Sequence, residues 1–191
     1  MQEEKLNKKK TIVLLVLIIS ILIIGLLYSQ QKKTGEQAKI EMMNNEIIEI
    51  ENKITDNTNS NEMQNGIIGI LEIDKIHLKG LIKEGSSSDI LQKYIGHIES
   101  SPKYDGNICL AAHNRGNIYS YFAKLNELAE NDEIKYKTIF GDSCFSINKI
   151  TEIDEQDWSL LEDTDENKLT LITCIKNKKN KRLCVQATKK S

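Results

Sequence analysis

Aromatic side chains are scarce in this sequence: one Trp, six Tyr and three Phe among 191 residues. A surface that stacks nucleobases would need more of them. Excess positive charge is missing too. The formal net charge is -2, so electrostatics give no ground for a nucleic-acid partner. Proline occurs once, as Pro102. Cysteine occurs four times, too few to define a disulfide scaffold in a chain long enough to fold without staples. Histidine occurs three times, so acid–base chemistry by imidazole has only His77, His97 and His113 to draw on.

Charge is absent altogether from one stretch, TIVLLVLIISILIIGLLYSQQ, Thr11 to Gln31. At about 1.5 Å rise per residue, a helix of this length spans a hydrocarbon core of roughly 30 Å. Lys5, Lys8, Lys9 and Lys10 precede it and Lys32 and Lys33 follow. That bias favours the N-terminus inside the cell and the remainder outside. The run is longer than a signal-peptide core and ends without an Ala-x-Ala site, which points to an uncleaved anchor. The expected organisation is a cytoplasmic basic tail over 1–10, a transmembrane signal anchor over 11–31 and an extracellular stalk over 32–65. Within the stalk, Ile40, Met43, Ile47, Ile50 and Ile54 recur at helical spacing, predicting a helix over 36–55. A short coiled coil and a helix laid against the domain are both compatible with it. The Asn-rich NTNSNEMQNG then reads as a flexible linker.

From residue 66 to 190 the pattern changes to short segments of β character. GIIGILEIDKIHLKGLI, GNICLAAH, FGDSCFSINKITEI, KLTLITCI and RLCVQAT are strand candidates. SSSDILQKYIG predicts a short helix opened by a serine cap, and YSYFAKLNELAENDEI a second with Phe122, Leu125 and Leu128 on one face. Many short strands with few helices predict a mostly β domain, a barrel or sandwich that is mostly antiparallel.

Chemistry concentrates near the end of this domain. In TLITCI, alternation sends Leu169, Leu171 and Thr173 one way and Thr170, Ile172 and Cys174 the other. A thiol at a strand terminus has a rigid base and an open side. Arg182 follows after KNKKNK. If the two strands form a hairpin, it sits across the ladder from Cys174, where a guanidinium can stabilise a thiolate or an oxyanion. A cysteine nucleophile also needs a proton donor for its leaving group. His113 ends the apolar strand ICLAA and precedes the loop NRGN, a placement that mirrors that of Cys174. His77 and His97 read as structural. Cys109 and Cys144 read as core-like, and Cys184 as part of the floor beneath Arg182. The acidic run Glu152, Asp154, Glu155 and Asp157 reads as solvated surface, without residue-level support for a metal site.

Taken together, these motifs resemble the sortases, membrane-anchored cysteine transpeptidases of Gram-positive bacteria. The resemblance runs from Gly66 to Lys189 and rests on GILEIDKIHLKGLI, YIGHIESS, LAAHN, TLITC and the following Arg182. It implies a closed eight-stranded β-barrel with short edge helices, preceded by an N-terminal transmembrane helix. It places the nucleophile on Cys174, the histidine on His113 and the arginine on Arg182. Thr173 falls where the family arranges the substrate and oxyanion region. The implied substrates are secreted proteins with a C-terminal Leu-Pro-x-Thr-Gly-like sorting signal, cleaved between Thr and Gly. The implied acceptor is a peptidoglycan precursor amine, and the membrane lipid is engaged through the N-terminal helix. No cofactor or metal is implied. Seven residues separate Cys174 from Arg182, which leaves no room for the helix of the haem-associated group. No aromatic lid motif precedes the domain either, which points to a housekeeping-like or class D/E-like member. A surface cysteine peptidase using the same residues, and a non-catalytic tethered binding module, are the competing readings.

Overall fold

The computed structural model describes residues 2–56, 66–116 and 118–190; the linker expected at 57–65 lies outside them. The chain divides into two compact units, Met1–Asn44 and Asn45–Ser191. One α-helix, α1, covers Gln2–Asp56. The anchor and stalk helices expected as separate segments are thus one element. No proline lies before Pro102 to interrupt it, and an isolated glycine such as Gly35 costs a helix only about 1 kcal/mol. In the first unit, the aliphatic side chains from Val13 to Leu27 are exposed all round, and the segment is a candidate membrane span by length and composition.

The second unit begins with the last turns of α1. Ile47 and Ile50 are buried there, at 4% and 7% exposure. Glu46 meets Lys93 at 2.8 Å and accepts a hydrogen bond from the Tyr94 hydroxyl. Glu51 bridges two ammonium groups, Lys79 at 2.7 Å and Lys137 at 3.2 Å. The apolar stripe seen in the sequence is therefore a packing face that serves the barrel, at least from Ile47 onward.

The barrel consists of β1 (Ile67–Ile73), β2 (Leu78–Glu84), β3 (Ile95–His97), β4 (Asn107–Ala111), β5 (Glu133–Thr138), β6 (Gly141–Asp154), β7 (Lys168–Ile175) and β8 (Lys178–Lys189). It closes in the order β1-β2-β3-β4-β7-β8-β6-β5. Pairing is antiparallel except for β2–β3 and β4–β7, which are parallel. The interior is filled by alternate residues, among them Ile82, Ile95, Leu110, Phe145, Leu171 and Val185. Closure removes free sheet edges and fixes each strand end relative to its neighbours.

Two short helices were expected at the edges. The first is α2 (Ser88–Leu91), with Ser87 at its N-cap position although the side chain makes no cap hydrogen bond. The second shrinks to a 3₁₀ turn at Leu125–Glu127. Phe122, Leu125 and Leu128 are all buried. Their spacing of three matches the three-residue turn of a 3₁₀ helix better than the 3.6-residue α-helix.

Candidate active site

Strand alternation decides what each residue of TLITC does. Leu169, Leu171 and Thr173 are buried toward the interior, whereas Thr170, Ile172 and Cys174 stand on the outer face. Low on that face, the β6–β7 connection forms a roof. Asn107 donates to the carbonyls of Leu160 and Glu162, Thr170 donates to Asn107, and Gln186 reaches the Leu160 carbonyl. Thr170 is consequently sealed, at 0% exposure. Cys174, two rungs further along the same face, is exposed and free.

The β7–β8 ladder pairs Cys174 directly with Arg182, and beyond that rung the register shifts so that Ile175 faces Lys178. Residues 179–181 are the excess on β8, a bulge of the kind that re-aims backbone groups at a hairpin end. Two of its carbonyls accept from Arg182: Nη1 donates to Lys179 at 2.9 Å and to Lys181 at 3.1 Å. Nη2 donates to Glu155 Oε2 at 2.9 Å. Cys184, two residues on, is fully buried on the same face as Arg182.

On the other side of β7, parallel β4 brings His113. The register matches Ala111 to Ile172, and the Ala112 amide donates to the Ile172 carbonyl at 3.4 Å. Beyond this last rung His113 lies two residues past Ala111, and Cys174 two past Ile172. Three hydrogen bonds fasten this junction. Thr173 Oγ1 donates to the Ala112 carbonyl at 2.7 Å, and the Phe122 amide donates to the His113 carbonyl at 3.1 Å. The Asn114 side-chain amide donates to the carbonyl of Cys174 itself. Next to the thiol opens a cleft of about 290 Å³ whose walls include Asn114, Phe122, Asn126, Lys176 and Leu183. His113, two residues past the end of β4, and Arg182, on β8, are not among those walls.

The Sortase domain family matches residues 71–190. The chain belongs to the sortase family. It is 32% identical over 109 residues to Sortase D of Bacillus subtilis (strain 168), covering 56% of this chain and 53% of that one. It is 25% identical over 122 residues to Sortase A of Bacillus anthracis, covering 63% and 58%. The chain thus spans little more than half the length of these curated relatives. Among solved structures, a Clostridium perfringens Sortase D5 transpeptidase superposes with a TM-score of 0.67 at 28% identity, covering 79% of this chain and 99% of that one. The pilus-related Sortase C of Group B Streptococcus gives 0.63 at 25%, covering 68% and 70%.

The other histidines, cysteines and acidic residues singled out in the sequence make separate contacts in this sortase. His77 takes a left-handed turn conformation (φ 53°) at the end of a 3₁₀ turn. His97 is buried, with Nε2 3.1 Å from both the Pro102 carbonyl and Ser101 Oγ, and Nδ1 3.2 Å from Glu84. Burial pushes the thiols of Cys109 and Cys184 up to about 12. Cys144 is only half-buried, less enclosed than its SCFSI context implied. The acidic run is matched to cations of the β7–β8 hairpin: Glu152 to Lys178, Asp154 to Lys181 and Glu155 to Arg182. Asp157 accepts from the Ser159 hydroxyl and amide. Among the described residues no group of three acidic, His or Cys side chains is gathered as a metal site. Sequence reasoning missed Asn114 and Glu155 as neighbours of the site. Asn114 carried a signal, being adjacent to His113 in LAAHN; Glu155 carried none, because its partner is 27 residues away.

Proposed function

We propose that this sortase is a cysteine transpeptidase acting on an extended Leu-Pro-x-Thr-Gly-like sorting signal, with Cys174 as nucleophile. The observation that carries the reading is the placement of one exposed thiol at a strand end, across the ladder from Arg182, with His113 two residues past the last β4–β7 rung. Of the cysteines, Cys109 and Cys184 are sealed in the fold, so neither competes for the role.

In this mechanism the Cys174 thiolate adds to the threonine carbonyl carbon, and Arg182 hydrogen-bonds to the developing oxyanion. The C–N bond then breaks, and protonated His113 gives its proton to the departing glycine amine. A thioester between Cys174 and the threonine acyl group remains. An acceptor amine of the cell-wall precursor attacks that thioester, passes its proton to His113, and expels the Cys174 thiolate. Thr173 contributes indirectly: its hydroxyl is committed to the Ala112 carbonyl, so it sets the His113 loop against β7. The apolar part of α1 anchors the chain as a single membrane span with its N-terminus inside and the barrel outside. Among the classes that the sequence pointed to, the D-type relatives favour a class D-like member.

The test is mass spectrometry of products from the full-length chain in detergent, given a Leu-Pro-x-Thr-Gly peptide library with and without peptidoglycan-type amines, beside Cys174→Ala. Cleavage after Thr with an amine-linked product, lost in the variant, is the expected result. Because Cys174 is exposed, water competes as acceptor. A free-acid product at every amine concentration would make the protein a peptidase instead. Processing that survives in Cys174→Ala would remove the proposed nucleophile altogether.

A further inference from the structure

Three cation–carboxylate pairs link β6 and its exit to the β7–β8 hairpin, and one differs from the others. In Lys178–Glu152 and Lys181–Asp154 the side chains are 43% to 66% exposed. In Arg182–Glu155 they are 25% and 38% exposed. The first two are ordinary surface pairs, held by single flexible ammonium groups. The third fixes a planar guanidinium that already has two backbone anchors.

A donor count shows what those anchors leave free. Both Nη1 hydrogens go to bulge carbonyls, Lys179 and Lys181, and one Nη2 hydrogen goes to Glu155. The remaining Nη2 hydrogen and the Nε hydrogen have no partner among the described residues. Glu155 is itself placed by the fold, since its amide donates to the Asn180 carbonyl at 3.0 Å and extends the β6–β8 ladder by one residue. The carboxylate therefore stands on the β6 side of β8, opposite the β7 side where Cys174 lies. A guanidinium held by one carboxylate and two backbone carbonyls can rotate little.

We propose that Glu155 is a positioning residue for Arg182, fixing its guanidinium so that the free Nε and Nη2 hydrogens meet the substrate beside Cys174. This rests on the reading of Arg182 as the group that hydrogen-bonds the reacting acyl unit. A partly exposed ion pair adds little to stability, so its consequence lies in the rate. Without Glu155 the guanidinium keeps its charge and its hairpin carbonyls but gains freedom to swing about them. Substrate binding through the rest of the groove is unaffected, and the loss falls on the step in which negative charge develops.

The test is a double-mutant cycle on the full-length chain, using the peptide selected by the library experiment and amine acceptor at saturation. Glu155→Ala is expected to lower kcat about tenfold with KM within about twofold, on the scale that misplacing a reacting group allows. Glu155→Gln, whose amide oxygen still accepts from Nη2, is expected to recover most of that loss. In the Arg182→Ala background, Glu155→Ala is expected to change nothing further. Glu155→Ala with kcat unchanged or raised, or with the same loss in the Arg182→Ala background, would overturn the proposal. A Cys174-dependent enzyme indifferent to Glu155 defeats this inference alone. An enzyme indifferent to Arg182→Ala removes the reading beneath it as well.

Discussion

Cys174 and Arg182 are a directly paired rung of the β7–β8 ladder, yet the Arg182 guanidinium is anchored to the Lys179 and Lys181 carbonyls and to Glu155. The fixed unit is therefore the fork itself, with charge, plane and unused donors set before substrate arrives. An ammonium on a four-carbon stem cannot reproduce three such anchors while still donating to a substrate.

It follows that Arg182→Lys behaves almost like Arg182→Ala. Removing a preorganised oxyanion donor, the role proposed for Arg182, costs on the order of 10² to 10³ in kcat. Both variants are expected in that range, with the lysine variant recovering less than about tenfold. Steady-state peptide cleavage at saturating substrate measures this. A lysine variant with near wild-type kcat would show that charge alone suffices and that fork geometry is irrelevant.

Among the described residues, Asn114 is the side chain that crosses from the His113 loop to the backbone of Cys174. Its loss leaves both of the proposed reacting side chains present while freeing the junction between them. Asn114→Ala is expected to lower kcat roughly tenfold, by loosening the alignment of the proposed acid and nucleophile. Surface substitutions of this kind usually change stability by less than about 0.5 kcal/mol. Thermal unfolding beside steady-state kinetics separates the two effects. A large fall in Tm with proportional loss of active enzyme would reassign Asn114 to folding.

The division between what was legible and what was not follows from sequence separation. Cys174 and Arg182 are legible as a pair because a hairpin brings residues a few positions apart onto one rung, and alternation fixes which face each occupies. His113 was selected by its position at the end of an apolar strand; its approach to Cys174 depends on parallel β4–β7 pairing, a contact across 61 residues that no local pattern encodes. Glu155 reads in sequence as one acid among four, since only the β6–β8 register singles it out. Phe122, Leu125 and Leu128 are all buried, but their repeat of three matches a 3₁₀ turn better than the α-helix that the sequence suggests. The helical stripe was legible from Ile40 to Ile54, whereas the surface that receives Ile47 and Ile50 was not.

The last turns of α1 are expected to contribute to the stability of the barrel unit. Ile47 and Ile50 are buried, and deleting a buried isoleucine side chain to alanine costs roughly 2 to 5 kcal/mol where the site cannot collapse. Ile47→Ala and Ile50→Ala should each lower the unfolding free energy toward the low end of that range, the helix lying at the domain surface. Thermal or urea unfolding followed by near-UV dichroism measures it. Loss below about 0.5 kcal/mol for both would leave α1 resting on the barrel without supporting it.

The Glu51 clamp carries a pH dependence with a definite sign. The Lys79 hydrogen bond, opposed in part by burial and reinforced by Lys137, holds the Glu51 carboxyl below its ordinary 4.5. A carboxyl depressed in the folded state contributes stability that is present above its unfolded pKa and lost as pH falls through its folded one. Wild type is therefore expected to exceed Glu51→Gln in stability at neutral pH. The difference should shrink as pH falls below 4.5 and vanish once the folded-state carboxyl is protonated. Urea titrations of both proteins across that window read it directly. A difference that persists unchanged into acid would mean that Glu51 acts through packing, not through its charge.

The four thiols should separate by reactivity in a way that isolates the proposed nucleophile. Cys109 and Cys184 are fully buried and burial pushes both up to about 12, so alkylation must wait for the fold to open. Cys144 is half-buried and raised too, first by burial and then by the neighbouring Glu133. Cys174 is exposed at the site and flanked by Arg182. Under native conditions iodoacetamide is expected to modify Cys174 first, to reach Cys144 more slowly, and to spare Cys109 and Cys184 until denaturant is added. Peptide mapping by mass spectrometry over a time course reads all four at once. Activity should disappear in step with Cys174 modification alone; if it instead tracks Cys144, the reactive thiol has been assigned to the wrong strand.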